Sequence, residues 1–247
     1  MNININNMID KKNKHLLGQF YTTNYEYILQ NMKIPNNIKN IIEPFAGNGD
    51  LINFIKKDKN NYNVEYYDIE PKKDFIVKKD TIKNPPNYIN KFIITNPPYL
   101  ARNKSKDKSL FNKYKVNDLF KCFIKEILTN ICLGGIIIIP LNFWSSIRIS
   151  DIKLRKIFLS KYNVVLLNIF DEQVFDDTGY TICSLQFEIK KNDINNNKLN
   201  IIIYPSKIII NTELNDDNNY IIGGNIYNLK LNNLYKITRI TNKNKNK

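Results

Sequence analysis

The sequence predicts an α/β protein built on one mostly parallel sheet. Short apolar runs typical of buried strands alternate with segments of helical periodicity, and this alternation is typical of parallel sheets. The clearest helix is an apolar stripe over 117–132, which Gly134 and Gly135 end. A turn-rich segment without a helix joins the strands predicted at 164–170 and 181–189, so we expect these two to be antiparallel. The predicted sheet thus has seven strands, the last of them antiparallel.

Local composition gives each element in chain order. The predicted strands are 38–42, 62–68, 75–77, 91–95, 136–139, 164–170 and 181–189. The predicted helices are 24–33, which Pro35 ends, and 50–57, 117–132 and 151–160. Short strand-like runs also occur at 199–204 and 208–210. Residues 101–115 carry six basic side chains without a strong pattern, which indicates a mobile basic loop.

Composition divides the chain into four regions. We expect a flexible N-terminus at 1–14, a main domain at 15–190, a small C-terminal region at 191–240 and a disordered basic tail at 241–247. The C-terminal region begins with a linker rich in Asn, Asp and Lys. A main domain of this length can bury a substantial core.

Charge and cysteine usage limit the possible partners. The net charge of +14 favours a polyanionic partner, although AT-rich codons, visible as abundant Lys, Asn and Ile, supply part of this charge. Cys122, Cys132 and Cys183 form no CxxC pair, and His15 has no evident metal partner. We therefore expect no metal partner. The sequence has no leader-like segment and no run of about 18 apolar residues, so we expect an intracellular protein without a membrane partner.

The tetrapeptide Asn96-Pro97-Pro98-Tyr99 directly follows the fourth predicted strand. Its two prolines fix the backbone and remove two N–H donors, so the local carbonyls have no partner of their own. Such a turn can accept hydrogen bonds from an amino group, and Tyr99 can stack on the flat group that carries it. Because open α/β sheets bind ligands at the carboxyl ends of their strands, the turn predicts a binding site. The alternative interpretation of the tetrapeptide is an ordinary Asn-Pro turn.

Three further segments point to a nucleoside-type ligand. Residues 43–50 (Glu-Pro-Phe-Ala-Gly-Asn-Gly-Asp) form a turn after the first strand, without the third glycine of a dinucleotide site. Asp68 ends the second strand, where an acid accepts hydrogen bonds from ribose hydroxyls, and Asp80 follows the third strand. The segment 18–23 either caps the first helix or closes over the ligand. A solvated surface carboxylate is the alternative for each acid.

Taken together and in this order, the motifs resemble those of amino-group DNA methyltransferases that use S-adenosylmethionine. The resemblance is closest to the adenine-N6 class, in which a target-recognition region follows the catalytic domain. It continues at Val174 and Phe175, followed twelve residues later by Phe187, and it covers about 15–190. It implies a Rossmann-like methyltransferase fold, with 15–190 as the catalytic domain and 191–240 as a short target-recognition region.

The resemblance also implies a role for each motif. The residues that would hold the cofactor S-adenosylmethionine are Phe20, Tyr21, Thr22, Thr23, Glu43, Pro44, Ala46, Gly47, Gly49, Asp68, Ile69, Asp80 and Asn96. The catalytic residues would be Asn96, Pro97, Tyr99 and Phe175. Asn96 and the Pro97 carbonyl would accept hydrogen bonds from the target amino group, and Tyr99 would stack on the target base. Phe175 would contact the other face of the base, or it is a core aromatic residue at a strand end.

The implied activity is site-specific methylation of adenine N6 in double-stranded DNA, with the base flipped out of the duplex. The implied partners are DNA and a cognate restriction enzyme or a separate specificity subunit of a restriction-modification system. The implied location is the cytoplasm, at a nucleoid or a viral replication compartment. Because the C-terminal region is short, the DNA site could be short, or 101–115 or a specificity subunit could help to read it.

Four alternatives stay open at the level of the sequence. A ribosomal RNA adenine methyltransferase usually has a different tetrapeptide, and an N4-cytosine enzyme usually has Ser or Asp in place of Asn96. A protein-glutamine methyltransferase shares the tetrapeptide, but its glycine loop normally begins with Asp and contains more Gly than 43–50. A non-catalytic DNA-binding subunit with this fold would bind the cofactor without turnover.

Overall fold

The computed structural model describes residues 18, 20, 22–175, 179–190 and 197–223. Within them, nine strands form one sheet in the order β3-β2-β1-β4-β5-β7-β6-β8-β9. The strands are β1 (Asn40–Glu43), β2 (Asn63–Asp68), β3 (Val77–Lys78), β4 (Phe92–Thr95), β5 (Gly134–Pro140), β6 (Tyr162–Phe170), β7 (Ile182–Ile189), β8 (Lys198–Tyr204) and β9 (Ile208–Glu213). The helices are α1 (Tyr25–Ile28), α2 (Asp50–Lys57), α3 (Ser109–Tyr114), α4 (Leu119–Thr129), α5 (Asn142–Ser145) and α6 (Ile149–Lys161). The predicted α/β class is confirmed, whereas the predicted count of seven strands is wrong.

The parallel half of the sheet brings the strand ends that carry the motifs to one edge. β1 pairs in parallel with β2 and β4, β4 with β5, and β2 with β3. Every residue of β4 and β5 is buried, as expected of strands that are covered on both faces. The carboxyl ends of β1, β2 and β4 therefore carry Glu43, Asp68 and Asn96 to the same edge of the sheet.

Gly134 and Gly135, predicted to end a helix, are instead the first two residues of β5. A Cβ at Gly134 would lie 2.4 Å from the carbonyl oxygen of Phe187, and one at Gly135 would lie 2.5 Å from that of Ile93. Both distances are too short for a side chain, so the two glycines let β5 pack closely between β4 and β7. Helix α4 ends earlier, at Thr129.

The antiparallel arrangement of β6 and β7 is confirmed, and two more strands extend the sheet beyond β6. β7 lies between β5 and β6 and runs antiparallel to both. β8 pairs in parallel with β6, and β9 pairs antiparallel with β8. Leu199, Ile201 and Tyr204 are buried, so these apolar runs complete the sheet at an edge that β6 would otherwise leave unpaired. The division of the chain at residue 190 stays a prediction.

One helix prediction and one loop prediction need correction. Helix α1 covers only Tyr25–Ile28 of the predicted 24–33, with Leu29 as its C-cap, and Asn31 beyond it has a left-handed φ of 65° that does not continue a helix. Residues 101–115, predicted as a mobile loop, contain helix α3, which the buried ring of Phe111 anchors. No helix in the described ranges has the length and the apolar character needed to cross a membrane.

A buried polar group joins α4, α5 and α6. Lys121 Nζ lies 2.8 Å from Asp151 Oδ1, and both side chains are almost fully buried. Asp151 also accepts a hydrogen bond from the Ser146 hydroxyl at 2.6 Å. Arg155 donates hydrogen bonds to the carbonyls of Phe143 and Ser146. These contacts fix the three helices relative to one another.

Candidate active site

A cleft opens at the carboxyl ends of β1, β2 and β4. Its cavity volume is about 130 Å³. The predicted cofactor residues that line it are Phe20, Thr22, Glu43, Ala46, Gly47, Asp68, Ile69, Asp80 and Asn96. Motifs that are far apart in the chain thus converge on one cleft.

Three other predicted cofactor residues, Thr23, Pro44 and Gly49, lie apart from this lining, as do the predicted catalytic residues Pro97, Tyr99 and Phe175. Thr23 is exposed, and Pro44 and Pro97 are buried. Gly49 is the N-cap of α2, where its φ of 80° favours glycine, so it shapes the turn. Tyr21 lies outside the described residues.

The Asp68 carboxylate ties the glycine-containing turn to the end of β2. Its Oδ2 accepts a hydrogen bond from the Gly47 N–H and its Oδ1 accepts one from the Glu70 N–H, both at 2.8 Å. Asp68 is buried, so it is fixed in position, while each oxygen keeps a lone pair for another donor. Asp80 has a comparable local role after β3, where its Oδ1 accepts a hydrogen bond from the Ile82 N–H at 3.2 Å.

Glu43 is the ionisable group of the cleft that burial perturbs most. It is 1% exposed, and its Oε2 has no hydrogen-bond partner among the described residues. Burial raises the pKa of Glu43 well above its usual range, and the charges of Asp50 and Asp68 raise it further. A buried acceptor in a group of three acids favours a positively charged ligand, because a cation would satisfy the acceptor and relieve the repulsion.

The Asn96 amide connects the tetrapeptide to the segment that precedes α1. Its Nδ2 donates hydrogen bonds to the Phe20 carbonyl at 2.8 Å and to the Thr22 hydroxyl at 3.1 Å. Its Oδ1 is within hydrogen-bond distance of the Tyr99 hydroxyl, which also lies 2.9 Å from the carbonyl oxygen of Ile138. Because this hydroxyl has one proton, it donates to one of the two acceptors at a time. Burial raises the pKa of Tyr99 well above its usual range, so the phenol stays neutral.

Tyr99 and Phe175, the residues predicted to contact a base, meet at the ring of Phe20. Phe20 stacks on Tyr99 with ring centroids 5.3 Å apart and on Phe175 with ring centroids 6.3 Å apart. Phe120 and Tyr180 contact Tyr99 edge-on, with interplanar angles of 84° and 90°. Both predicted base-contacting rings are buried. The structure therefore brings them together, but covers them.

Sequence reasoning assigned no site role to part of the lining. These residues are Phe45, Asp50, Leu51, Lys79, Thr81, Pro98, Leu110 and Leu119. Lys79 directly precedes the predicted site residue Asp80, and this position in the sequence indicates that Lys79 lies near the cleft. Leu110 and Leu119 reach the cleft from α3 and α4, and no local pattern indicates that they do.

A second, open concave surface shares helix α3 with the cleft: Leu110 lines the cleft, and Phe111 lines this surface. We term it the basic concavity. Its lining residues are Ala101, Arg102, Asn103, Lys108, Phe111, Asn112, Lys115, Val116, Asn117, Arg148 and Ser150. Four of these side chains are cationic, and no described residue of the lining is acidic, so the surface favours an anionic partner.

Solved structures share this fold, whereas no protein-family model and no curated protein sequence matches the chain. The chain is similar to a type I restriction-enzyme modification subunit from Vibrio vulnificus, with a TM-score of 0.58 and 11% identity over 91% of this chain and 55% of that one. It is also similar to the M protein of the EcoKI type I restriction enzyme, with a TM-score of 0.53 and 14% identity over 75% of this chain and 48% of that one. A third similar structure is DrdV in a DNA complex, with a TM-score of 0.55 and 15% identity over 84% of this chain and 31% of that one.

At these identities the similarity shows the fold alone. The fold is an α/β fold with a large sheet, and it is found in modification subunits of type I restriction enzymes. The chain spans 31–55% of the length of the three similar structures. The activity, the substrates and the partners therefore have to be argued from the site itself.

Proposed function

We propose that this protein is an S-adenosylmethionine-dependent methyltransferase that methylates the N6 amino group of adenine in DNA. One observation carries the proposal: the Glu43 acceptor, which has no partner among the described residues, lines the same cleft as the Asn96 amide. The first group suits a cationic cofactor. The second group belongs to the Asn-Pro-Pro-Tyr turn and suits a substrate that carries an amino group.

The charge and the lining of the cleft fit S-adenosylmethionine. This cofactor carries a sulfonium and an ammonium group, and the acids of the cleft are Glu43, Asp50, Asp68 and Asp80. Asp68 keeps lone pairs that suit the ribose hydroxyls, while Leu51 and Ile82 offer apolar surface to a flat adenine ring. A bound cation would lower the raised pKa of Glu43 and so favour its ionised form.

The residues of the tetrapeptide would position the target amino group. An adenine amino group is a weak nucleophile, because its lone pair is delocalised into the ring. Asn96 Oδ1 and the Pro97 carbonyl would act as two acceptors, which favours a pyramidal nitrogen with a localised lone pair. When bound, S-adenosylmethionine supplies a methyl group on a positively charged sulfur, so no strong base is needed. Positioning and electrostatic stabilisation would then supply most of the rate.

The basic concavity supports a nucleic acid as the substrate. Arg102, Lys108, Lys115 and Arg148 present positive charge that suits phosphate groups. An adenine in a duplex cannot reach a cleft of this kind and has to flip out of the stack. We further propose that 191–240 takes part in target recognition, and that a restriction enzyme or a specificity subunit is a partner inside the cell.

Transfer of labelled methyl groups from S-adenosylmethionine to unmethylated duplex DNA tests the proposal, together with sequencing that identifies modified bases. We expect N6-methyladenine confined to one short DNA sequence. Label in RNA or in protein, and none in DNA, would contradict the proposed substrate. Cofactor binding without any transfer would indicate a non-catalytic subunit, or a separate specificity subunit that the assay lacks.

The variant Asn96→Ala tests the site. It removes the acceptor for the target amino group, so we expect transfer to fall by about 10²–10³-fold, as when one positioned polar group is removed from an active site. The affinity for S-adenosylmethionine, measured by calorimetry, should change far less. Asn53→Ala, on the exposed side of α2, is the matched control and should behave as the wild type. Unchanged turnover in Asn96→Ala would remove the assignment of this site.

A further inference from the structure

We propose that Phe20 is a placeholder in the binding slot of the target base: in the ligand-free protein its ring covers the face of Tyr99 on which the adenine stacks, and the adenine displaces it. The inference rests on the function proposed above. It identifies the group of the protein with which a flat, amino-bearing ring has to compete.

The orientation of the rings supports this inference. The planes of Phe20 and Tyr99 differ by 27°, and those of Phe20 and Phe175 differ by 23°, so Phe20 is stacked on both rings. The contacts of Phe120 and Tyr180 with Tyr99 are edge-on. Among the described rings, Phe20 is therefore the one that lies face-on to Tyr99, which is how a base would lie.

Burial shows that a base cannot stack while Phe20 stays in place. Tyr99 is 3% exposed and Phe175 is 6% exposed, so neither ring offers a free face to a ligand. Tyr99 is held on two sides: its N–H donates to the Gly18 carbonyl at 2.8 Å, and its hydroxyl lies 2.9 Å from the carbonyl oxygen of Ile138. Phe20 is half-buried and lies outside any helix or strand, so it is the ring that has to leave.

Displacement of the ring is compatible with the hydrogen bonds of the tetrapeptide. The Phe20 carbonyl, and not its side chain, accepts the hydrogen bond from Asn96 Nδ2. The ring can swing about its Cα–Cβ bond while this hydrogen bond persists. Asn96 then keeps its orientation, with Oδ1 near the Tyr99 hydroxyl. The exchange replaces the stacking of Phe20 with the stacking of the base.

A free base analogue tests the placeholder without DNA and without methyl transfer. Phe20→Ala should leave a gap bordered by Tyr99 and Phe175, and a flat ring should fill this gap, as small aromatic molecules fill engineered cavities. We expect 9-ethyladenine to raise the melting temperature of Phe20→Ala saturably, and to bind it at least about tenfold more tightly than the wild type. The double variant Phe20→Ala/Phe175→Ala should lose most of this gain.

Phe158→Ala is the matched control, because it removes a fully buried ring that packs against Trp144 and Tyr162, away from the stack and from both concave surfaces. It should not gain affinity for 9-ethyladenine. Equal binding of the analogue by Phe20→Ala and by the wild type would overturn the placeholder. Methyl transfer to DNA by the wild type would then still support the proposed function. Conversely, a gain in affinity in Phe20→Ala would support the placeholder even if the wild type transferred label to RNA or to protein and none to DNA, a result that would contradict the proposed DNA substrate.

A second variant covers the case in which Phe20→Ala does not fold. Phe20→Trp keeps a ring in the stack, and the fully buried Trp144 supplies a constant background of fluorescence. Titration with 9-ethyladenine at high concentration should shift the emission of the new indole to longer wavelength and increase its quenching by acrylamide, because the ring moves into solvent. Saturable binding of the analogue with unchanged emission and quenching would contradict displacement.

Discussion

Replacement of Asp118 by Asn should stabilise the protein at neutral pH and not at acidic pH. Asp118 is the N-cap of α4 and is 8% exposed. Burial raises the pKa of its carboxyl group from 3.8 to about 6, although the charge of Lys121 and nearby backbone N–H groups oppose the rise. The folded protein therefore holds this proton more tightly than the unfolded chain does.

The sign and the size of the effect follow from this rise. A raised carboxyl pKa contributes stability that is fully present below the unfolded value of 3.8, and that is lost as the pH rises through about 6. At about 1.4 kcal/mol for each pKa unit, ionisation of the Asp118 carboxyl group lowers the free energy of unfolding at pH 7.5 by about 3 kcal/mol. Asn has nearly the same shape and no charge, so Asp118→Asn should recover most of this free energy.

Urea unfolding of the wild type and of Asp118→Asn between about pH 4 and 8 measures the difference in the free energy of unfolding. We expect a difference near zero at about pH 4 that grows to about 2–3 kcal/mol at pH 7.5. Asp107→Asn is the control, because Asp107 is exposed and its pKa is lowered by the backbone N–H of Ser109, so this variant should not be stabilised. A difference that does not change with pH, or that is absent at pH 7.5, would refute the reasoning.

Three further results are expected. Asp68→Ala should weaken S-adenosylmethionine binding by about 10–100-fold, because an acceptor of charge-assisted hydrogen bonds is lost; an unchanged Kd in calorimetry would mean that the ribose contact is misplaced. The double variant Arg102→Gln/Lys108→Gln should lower the magnitude of the slope of log K against log salt, for binding to duplex DNA, by about 2. An unchanged slope would exclude the basic concavity as the DNA-binding surface. Lys121→Met leaves the Asp151 carboxylate buried without its cation and should lower the free energy of unfolding in urea by about 3–5 kcal/mol, and a loss below about 1 kcal/mol would contradict this.

The sequence predicted those parts of the fold that local patterns determine. The helix at 50–57 and the antiparallel pair β6–β7 are as predicted, because a helical stripe and a turn-rich connection are visible within a few residues. The pairing of β8 with β6 joins segments that are more than thirty residues apart, and no local pattern specifies which strand an apolar run will pair with. The need for glycine at position 134 likewise depends on a distant segment, because the Phe187 carbonyl leaves no space there for a side chain.

The same distinction between local patterns and contacts of distant segments applies to the candidate site. The cleft residues Glu43, Asp68 and Asn96 end three neighbouring parallel strands, and parallel strands present their carboxyl ends at one edge, so their convergence was predictable. The burial of Tyr99 was not predictable, because it depends on a ring that lies nearly eighty residues earlier in the chain. A motif shows which side chains are available, whereas only the packing shows whether a ring face is open.

The two concave surfaces differ in charge, and this difference suits a reaction between a cationic methyl donor and a polyanion. Glu43 and Asp68 lie inside the cleft, while Arg102 and Arg148 line the basic concavity. One surface of uniform charge would attract one of these ligands and repel the other. Because salt screens exposed charges far more than buried ones, ionic strength should weaken DNA binding steeply and cofactor binding only slightly. Helix α3 lines both surfaces, so the segment 101–115 connects the proposed phosphate-binding surface directly to the proposed cofactor cleft.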